Sequence, residues 1–119
     1  MFVTPYTKKF MLKDKEALLP DFKTNEACQT SKTLSALAKS LGKYIIGGSF
    51  PEAIEGEDRI YNTCLCFNRE GDIAAEHRKL HMFDINIPGK ITFQESEYVK
   101  PGPPAFTLFE TEFCKVNHQ

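Results

Sequence analysis

Leu34, Leu37, Ala38 and Leu41 recur at i, i+3, i+4 and i+7, the spacing that lines one face of an α-helix. Lys32, Lys39 and Ser40 fall off that stripe. Thr30 or Ser31 can cap the start, because a side-chain oxygen there accepts a free N–H of the first turn. Gly42 suits the left-handed residue that closes a helix. The period then changes. Lys43 to Gly48 contains Tyr44-Ile45-Ile46 with glycines behind it and predicts a buried strand. Its predicted partner is Ile60 to Asn68, joined through the acidic, Gly56-containing stretch Ala53 to Asp58. Arg69-Glu70-Gly71-Asp72 is a second tight connection, so residues 60–68 and 73–80 should form an antiparallel hairpin. The expected interior of this helix-and-three-strand unit is Leu34, Leu37, Leu41, Ile45, Ile46, Cys64 and Cys66.

The flanks are less regular. Residues 1–10 carry aromatic side chains without a sustained period, and the charged stretch 11–24, with Pro20, predicts a short irregular helix or a loop. Residues 84–104 hold Pro88, Pro101, Pro103 and Pro104 with Gly89 and Gly102, and predict one long loop. Loops beyond about 12–15 residues usually serve a function or are disordered. Pro101-Gly102-Pro103-Pro104 could serve as a polyproline ligand for an SH3-type partner, but a stiff surface turn is the simpler reading. Phe106 to Phe109 and Phe113 to Val116 predict two last short strands. There is no internal repeat and no low-complexity tract.

At 119 residues the chain is one domain or part of one. It is 41% hydrophobic and 26% charged with a net charge of −1, which offers no electrostatic case for nucleic acid or an anionic membrane as partner. No apolar run approaches the roughly 18 residues a membrane span needs, and Met-Phe-Val-Thr-Pro does not read as a secretory signal. Cys28, Cys64, Cys66 and Cys114 form no Cys-x-x-Cys pair. They read as free thiols of a reducing compartment, cytoplasm or mitochondrion, with packing as their ordinary role.

Candidate chemistry concentrates where the third strand ends. Arg78 and Lys79 are delivered there by a strand, at the start of a loop carrying Asp84, Pro88, Gly89, Lys90 and Glu95. Taken alone, they are two solvated charges flanking a strand. His77, His81 and Asp84 could be metal ligands, but Arg78 and Lys79 beside them would repel a cation, so no metal is expected.

The run His77-Arg78-Lys79-Leu80-His81-Met82-Phe83-Asp84, then Pro88-Gly89-Lys90-Ile91-Thr92-Phe93-Gln94-Glu95-Ser96, resembles the lysine segment of the nitrilase superfamily of carbon–nitrogen hydrolases, and most closely its ω-amidase branch. Ile46-Gly47-Gly48-Ser49, Pro51-Glu52, Tyr61-Asn62-Thr63-Cys64, Pro101-Gly102 and Phe113-Cys114 extend the match over nearly the whole chain; residues 11–30 match poorly. The resemblance implies an α/β fold, with residues 1–119 a partial domain of an α-β-β-α sandwich. It assigns Lys79 the role of stabilising the tetrahedral intermediate, and Glu95 that of a second carboxylate orienting the lysine. It also implies a small-molecule amide substrate, no cofactor, and a homodimer for the complete family member. Phe2-x-x-Pro5-Tyr6 matches the stretch following the family's first catalytic glutamate, and Cys114 matches a cysteine preceding the nucleophile. Base and nucleophile are therefore expected to lie outside residues 1–119, as in a product truncated at both ends. Hydrolysis of the terminal amide of dicarboxylate monoamides such as 2-oxoglutaramate is the expected activity. The alternative is an inactive remnant that associates with full-length subunits or has no function of its own.

Overall fold

The computed structural model describes residues 4–118. Its elements are α1 (Lys8–Lys13), a 3-10 turn (Glu26–Cys28), α2 (Gln29–Leu41), β1 (Ile45–Ala53), β2 (Ile60–Phe67) and β3 (Ile73–Arg78). These are followed by β4 (Asp84–Ile87), β5 (Ile91–Gln94), a second 3-10 turn (Glu95–Glu97), β6 (Thr107–Glu110) and β7 (Lys115–His118). β1, β2 and β3 form an antiparallel sheet in that order, while β4–β5 and β6–β7 are separate two-stranded ladders. The fold is mixed α/β.

Helix α2 ends as expected: Gly42 turns left-handed at φ 59° and its N–H bonds the carbonyls of Ala38 and Lys39. Its start differs. Neither Thr30 nor Ser31 is the N-cap, because Glu16 reaches in from outside. Its carboxylate accepts from Thr30 N and Thr30 Oγ1, both at 2.6 Å, and places negative charge at the helix N-terminus.

Three expected core residues are outside: Leu37, Leu41 and Ile46 are 44%, 57% and 49% exposed. The helix packs through its small side chains instead. Ser31, Ser35 and Ala38 are buried, and Ser35 Oγ donates to Gly71 O at 2.5 Å, bringing the β2–β3 turn against the helix. A Cβ on Gly71 would meet Ser35 O at 2.6 Å. That close approach turns the leucine stripe partly away from the sheet. Leu34 stays half-buried because it lies over Gly47, where a Cβ would stand 2.5 Å from Leu34 Cδ1. Strand alternation then sends Ile46 to the opposite face while Ile45 packs on the core with Leu34. Cys64 and Cys66 are buried as expected.

Strand β1 is longer than expected, since Pro51, Glu52 and Ala53 pair with Asn62, Tyr61 and Ile60, and Glu16 bridges its other edge. The β2–β3 hairpin forms as expected. Residues 84–104 are not one loop. Ile87 and Ile91 pair across a turn in which Gly89 has φ 72° and Lys90 N bonds Ile87 O at 3.0 Å. Pro88 then Gly89 is the sequence a type II turn requires, so a hairpin occupies half of the stretch. The strands expected at 106–109 and 113–116 appear as β6 and β7, each displaced toward the C-terminus.

Two core clusters result. One joins α2 to the sheet through Phe22, Cys28, Ala38, Phe50, Leu65 and Phe67. The other gathers Met11, Ile60, Tyr98 and Val99, with Leu12, Met82 and Phe93 against them, and it underlies the site.

Candidate functional site

Successive side chains of a strand point to opposite faces, so β3 and its extension separate Arg78 from Lys79. Arg78 makes a bidentate pair with the buried Glu52, Nε to Oε2 at 2.9 Å and Nη2 to Oε1 at 2.6 Å. Thr63 Oγ1 also donates to Glu52, at 2.5 Å, and the guanidinium lies 4.5 Å from the Tyr61 ring centre. This cluster binds the three strands together. Lys79 goes the other way, its backbone held by Asn62 O at 2.9 Å and by Gly102 N at 2.9 Å. A Cβ on Gly102 would fall 2.3 Å from Arg78 O, so the 101–104 turn lies directly on the strand end.

Glu95 is fully buried at the base of the β4–β5 hairpin. Its carbonyl accepts from Tyr98 N and Val99 N, and its N–H bonds Phe83 O at 3.2 Å. Its carboxylate is fully engaged: Oε2 accepts from Lys79 Nζ at 2.6 Å and from Phe83 N at 2.6 Å, and Oε1 accepts from the Tyr6 hydroxyl. The structure therefore joins the two expected site residues directly. A buried carboxylate requires such donors, since an unpaired one is strongly disfavoured.

Tyr6 was not among the expected site residues. Met11, fully buried in the second cluster, anchors α1, and the chain before it places Tyr6 over the pair. Lys79 Nζ lies 3.1 Å from the Tyr6 oxygen, and Asn62 Nδ2 stands 3.5 Å from it, at the limit of hydrogen bonding. Phe93 flanks the Tyr6 ring at 6.4 Å and Tyr98 meets Phe93 edge-on. Partial burial works against the Lys79 charge, but the hydrogen bonds to Glu95 and Tyr6 outweigh it and raise its pKa above the ordinary lysine value. Burial first, then donation to Glu95, raises the Tyr6 phenol, with Lys79 pulling the other way. Burial also pushes Tyr98 up, to about 12. Lys79 is thus a fixed ammonium whose side chain remains 35% exposed. It can bind or stabilise negative charge on an oxygen.

The other candidates are dispersed. His77 Nδ1 lies 3.0 Å from Thr107 Oγ1, and Asp84 Oδ1 accepts from Ser96 N at 3.0 Å. Among the described residues, no group of three or more His, Cys, Asp or Glu could hold a metal ion. Cys28 is packed in the first cluster and Cys114 is exposed before β7. The Cys66 sulfur, then burial, pushes the Cys64 thiol far above its ordinary pKa, so Cys64 is a neutral packing group. A cleft of about 420 Å³ is lined by His77, Leu80, His81, Pro104, Ala105 and Phe106, and neither Lys79 nor Glu95 contributes to it.

The site so built is a lysine just past the end of β3, locked onto a buried glutamate in a mixed α/β scaffold. The sequence profile of carbon–nitrogen hydrolases matches residues 1–118, and the chain belongs to that family. Among curated relatives it is similar to Omega-amidase NIT2 of Bos taurus, 44% identical over 115 residues covering 97% of this chain and 38% of the relative. It is also similar to the protein of that name in Danio rerio, 48% identical over 74% of this chain and 31% of the relative. The crystal structure of Saccharomyces cerevisiae Nit3, a member of branch 10 of the nitrilase superfamily, superposes with a TM-score of 0.72 at 32% identity. That superposition covers 93% of this chain and 35% of Nit3. The chain thus spans between 31% and 38% of the length of these relatives.

Proposed function

We propose that residues 1–119 are the Lys79–Glu95 portion of a carbon–nitrogen hydrolase of ω-amidase type. The substrates proposed are dicarboxylate monoamides, 2-oxoglutaramate and 2-oxosuccinamate, cleaved at the terminal amide. The observation that carries this reading is the Lys79 Nζ to Glu95 Oε2 bond of 2.6 Å on a carboxylate with no solvent exposure. In the reaction, a cysteine thiolate attacks the amide carbon and the carbonyl oxygen becomes an oxyanion. Lys79 stands as the fixed cation for that charge, and Glu95 holds the ammonium in place. A general-base carboxylate takes the thiol proton and, now as the acid, returns it to the nitrogen that leaves as ammonia. It then takes a proton from water, which cleaves the thioester to the dicarboxylate and frees the thiol.

On this reading the nucleophile and base come from residues outside 1–119, the complete family member is a homodimer, and the compartment is cytoplasm or mitochondrion. The inactive-remnant alternative is favoured by one observation: among the four cysteines, none hydrogen-bonds Lys79 or Glu95. Both readings are tested by ammonia release. The chain alone should give no turnover of 2-oxoglutaramate or succinamate above background. A chimera carrying residues 1–119 in place of the matched segment of the bovine relative should give turnover that Lys79→Met abolishes. A soluble, folded chimera with no activity would leave the remnant reading standing. Turnover by the chain alone that disappears in Cys114→Ser would make Cys114 the nucleophile.

A further inference from the structure

We propose that Tyr6 is a positioning residue for Lys79. Its hydroxyl donates to Glu95 Oε1 and accepts from Lys79 Nζ, so that one ammonium N–H remains for a single incoming oxygen. A lysine ammonium has three donors and no acceptor. One goes to Glu95 Oε2 at 2.6 Å and one to the Tyr6 oxygen at 3.1 Å. The third meets no acceptor among the described residues, on a side chain that is 35% exposed. The glutamate explains why Tyr6 is needed. Phe83 N takes one lone-pair direction of Oε2 and Tyr6 takes Oε1. The ammonium is therefore kept from straddling both carboxylate oxygens and is confined to one side of Oε2.

Without the hydroxyl, Lys79 could rotate onto Oε1 and turn its remaining N–H inward. With it, the site offers one N–H to one oxygen. That geometry fits a carbonyl oxygen gaining charge better than a carboxylate, which would seek two parallel donors. The inference deepens the amidase reading and relies on it only for the identity of that oxygen; the coupling of Tyr6 to Lys79 stands on the geometry. Ring packing is the competing role, since Tyr6 stacks near Phe93, and a phenylalanine would preserve that packing.

The titratable groups facing Lys79 are Glu95, Tyr6 and Asp84, with Tyr98 behind Tyr6 and Glu95. The test is an NMR titration of the full 119-residue chain with lysine labelled at ¹³Cε, the Lys79 signal being assigned by its loss in Lys79→Arg. In Tyr6→Phe the Lys79 midpoint should fall by about half a unit or more, because an acceptor for the charged form is gone. Should Tyr6→Phe not fold, 3-fluorotyrosine placed at position 6 keeps ring and hydroxyl but ionises at lower pH, and the phenolate 3.1 Å from the ammonium should raise the Lys79 midpoint instead. A folded variant of either kind with the parent midpoint would overturn the proposal and leave Tyr6 a packing residue. Amide turnover plays no part in this readout, so the inference and the amidase reading fail separately.

Discussion

Glu95 shows how one buried residue orders its surroundings. Its two oxygens collect Lys79 and the Phe83 amide from the connection between β3 and β4, and Tyr6 from the stretch before α1. Removing the cation strands a buried charge, which costs roughly 3–5 kcal/mol in a fully buried pair. Lys79 is 35% exposed, so solvent screening lowers the expectation for Lys79→Met to about 2 kcal/mol. Urea denaturation should show this as a lower midpoint at unchanged slope. The same site sets an alkaline limit. Lys79, Tyr6 and Tyr98 all have folded pKa values above their unfolded ones. Groups shifted this way contribute stability that is fully present below the unfolded pKa, 10.0 for tyrosine and 10.5 for lysine, and lost as pH rises through the folded value. Stability should therefore fall between pH 10 and about 12, the raised value of Tyr98. Lys79→Met should flatten that fall, and a thermal scan series across this range reads both.

At the scale of elements, contacts between backbone segments decide more than side-chain volume. The end of β3 is clamped between β2 and the 101–104 turn through the two bonds at Lys79 N and Lys79 O. Gly102 permits the clamp because it has no Cβ to strike Arg78. Gly102→Ala should therefore push the turn off the strand and destabilise the fold by about 1–3 kcal/mol, the usual range for overpacking. Loss of hydrogen-exchange protection at the Lys79 and Gly102 amides, beyond that seen in α2, would locate the damage there. Equal protection in variant and parent would mean that the turn absorbs the methyl group elsewhere. Glu16 plays a comparable part for α2, a carboxylate from outside the helix in place of the Thr30 or Ser31 cap.

The whole molecule is more open than its length suggests. Its radius of gyration is 15.3 Å, against about 13.5 Å for a compact chain of this size. Its accessible surface of 7358 Å² exceeds the roughly 6,500 Å² typical of a monomer of this mass. The excess includes large apolar side chains: Leu41, Phe106, Leu108 and Phe113 are all more than half exposed. Tyr44, Ile46, Phe109, Phe113 and Val116 line a groove of about 360 Å³. Exposed apolar faces and unpaired strand edges favour association. The isolated chain should accordingly self-associate in a concentration-dependent way in size-exclusion chromatography. A monodisperse monomer that melts cooperatively would show that this surface is tolerated.

Much of this was determined by the sequence itself, because local rules decide it. The stripe ending at Gly42 predicts α2, the β-rich runs predict β2 and β3, and the turn at 69–72 predicts their pairing. Lys79 and Glu95 were legible through the resemblance of residues 77–96, although nothing in composition or spacing would have paired them. Tertiary contacts decided the rest. Leu37 and Leu41 are exposed because the small face of Ser31 and Ser35 lets the Gly71 turn approach more closely than leucine would. The β4–β5 hairpin was obscured by the proline-rich stretch that contains it, although Pro88-Gly89 is itself the turn. Tyr6 joins a glutamate 89 positions away, a distance over which no periodicity operates. Only burial of the Glu95 carboxylate, and its need for donors wherever the fold can bring them, puts that hydroxyl in the site.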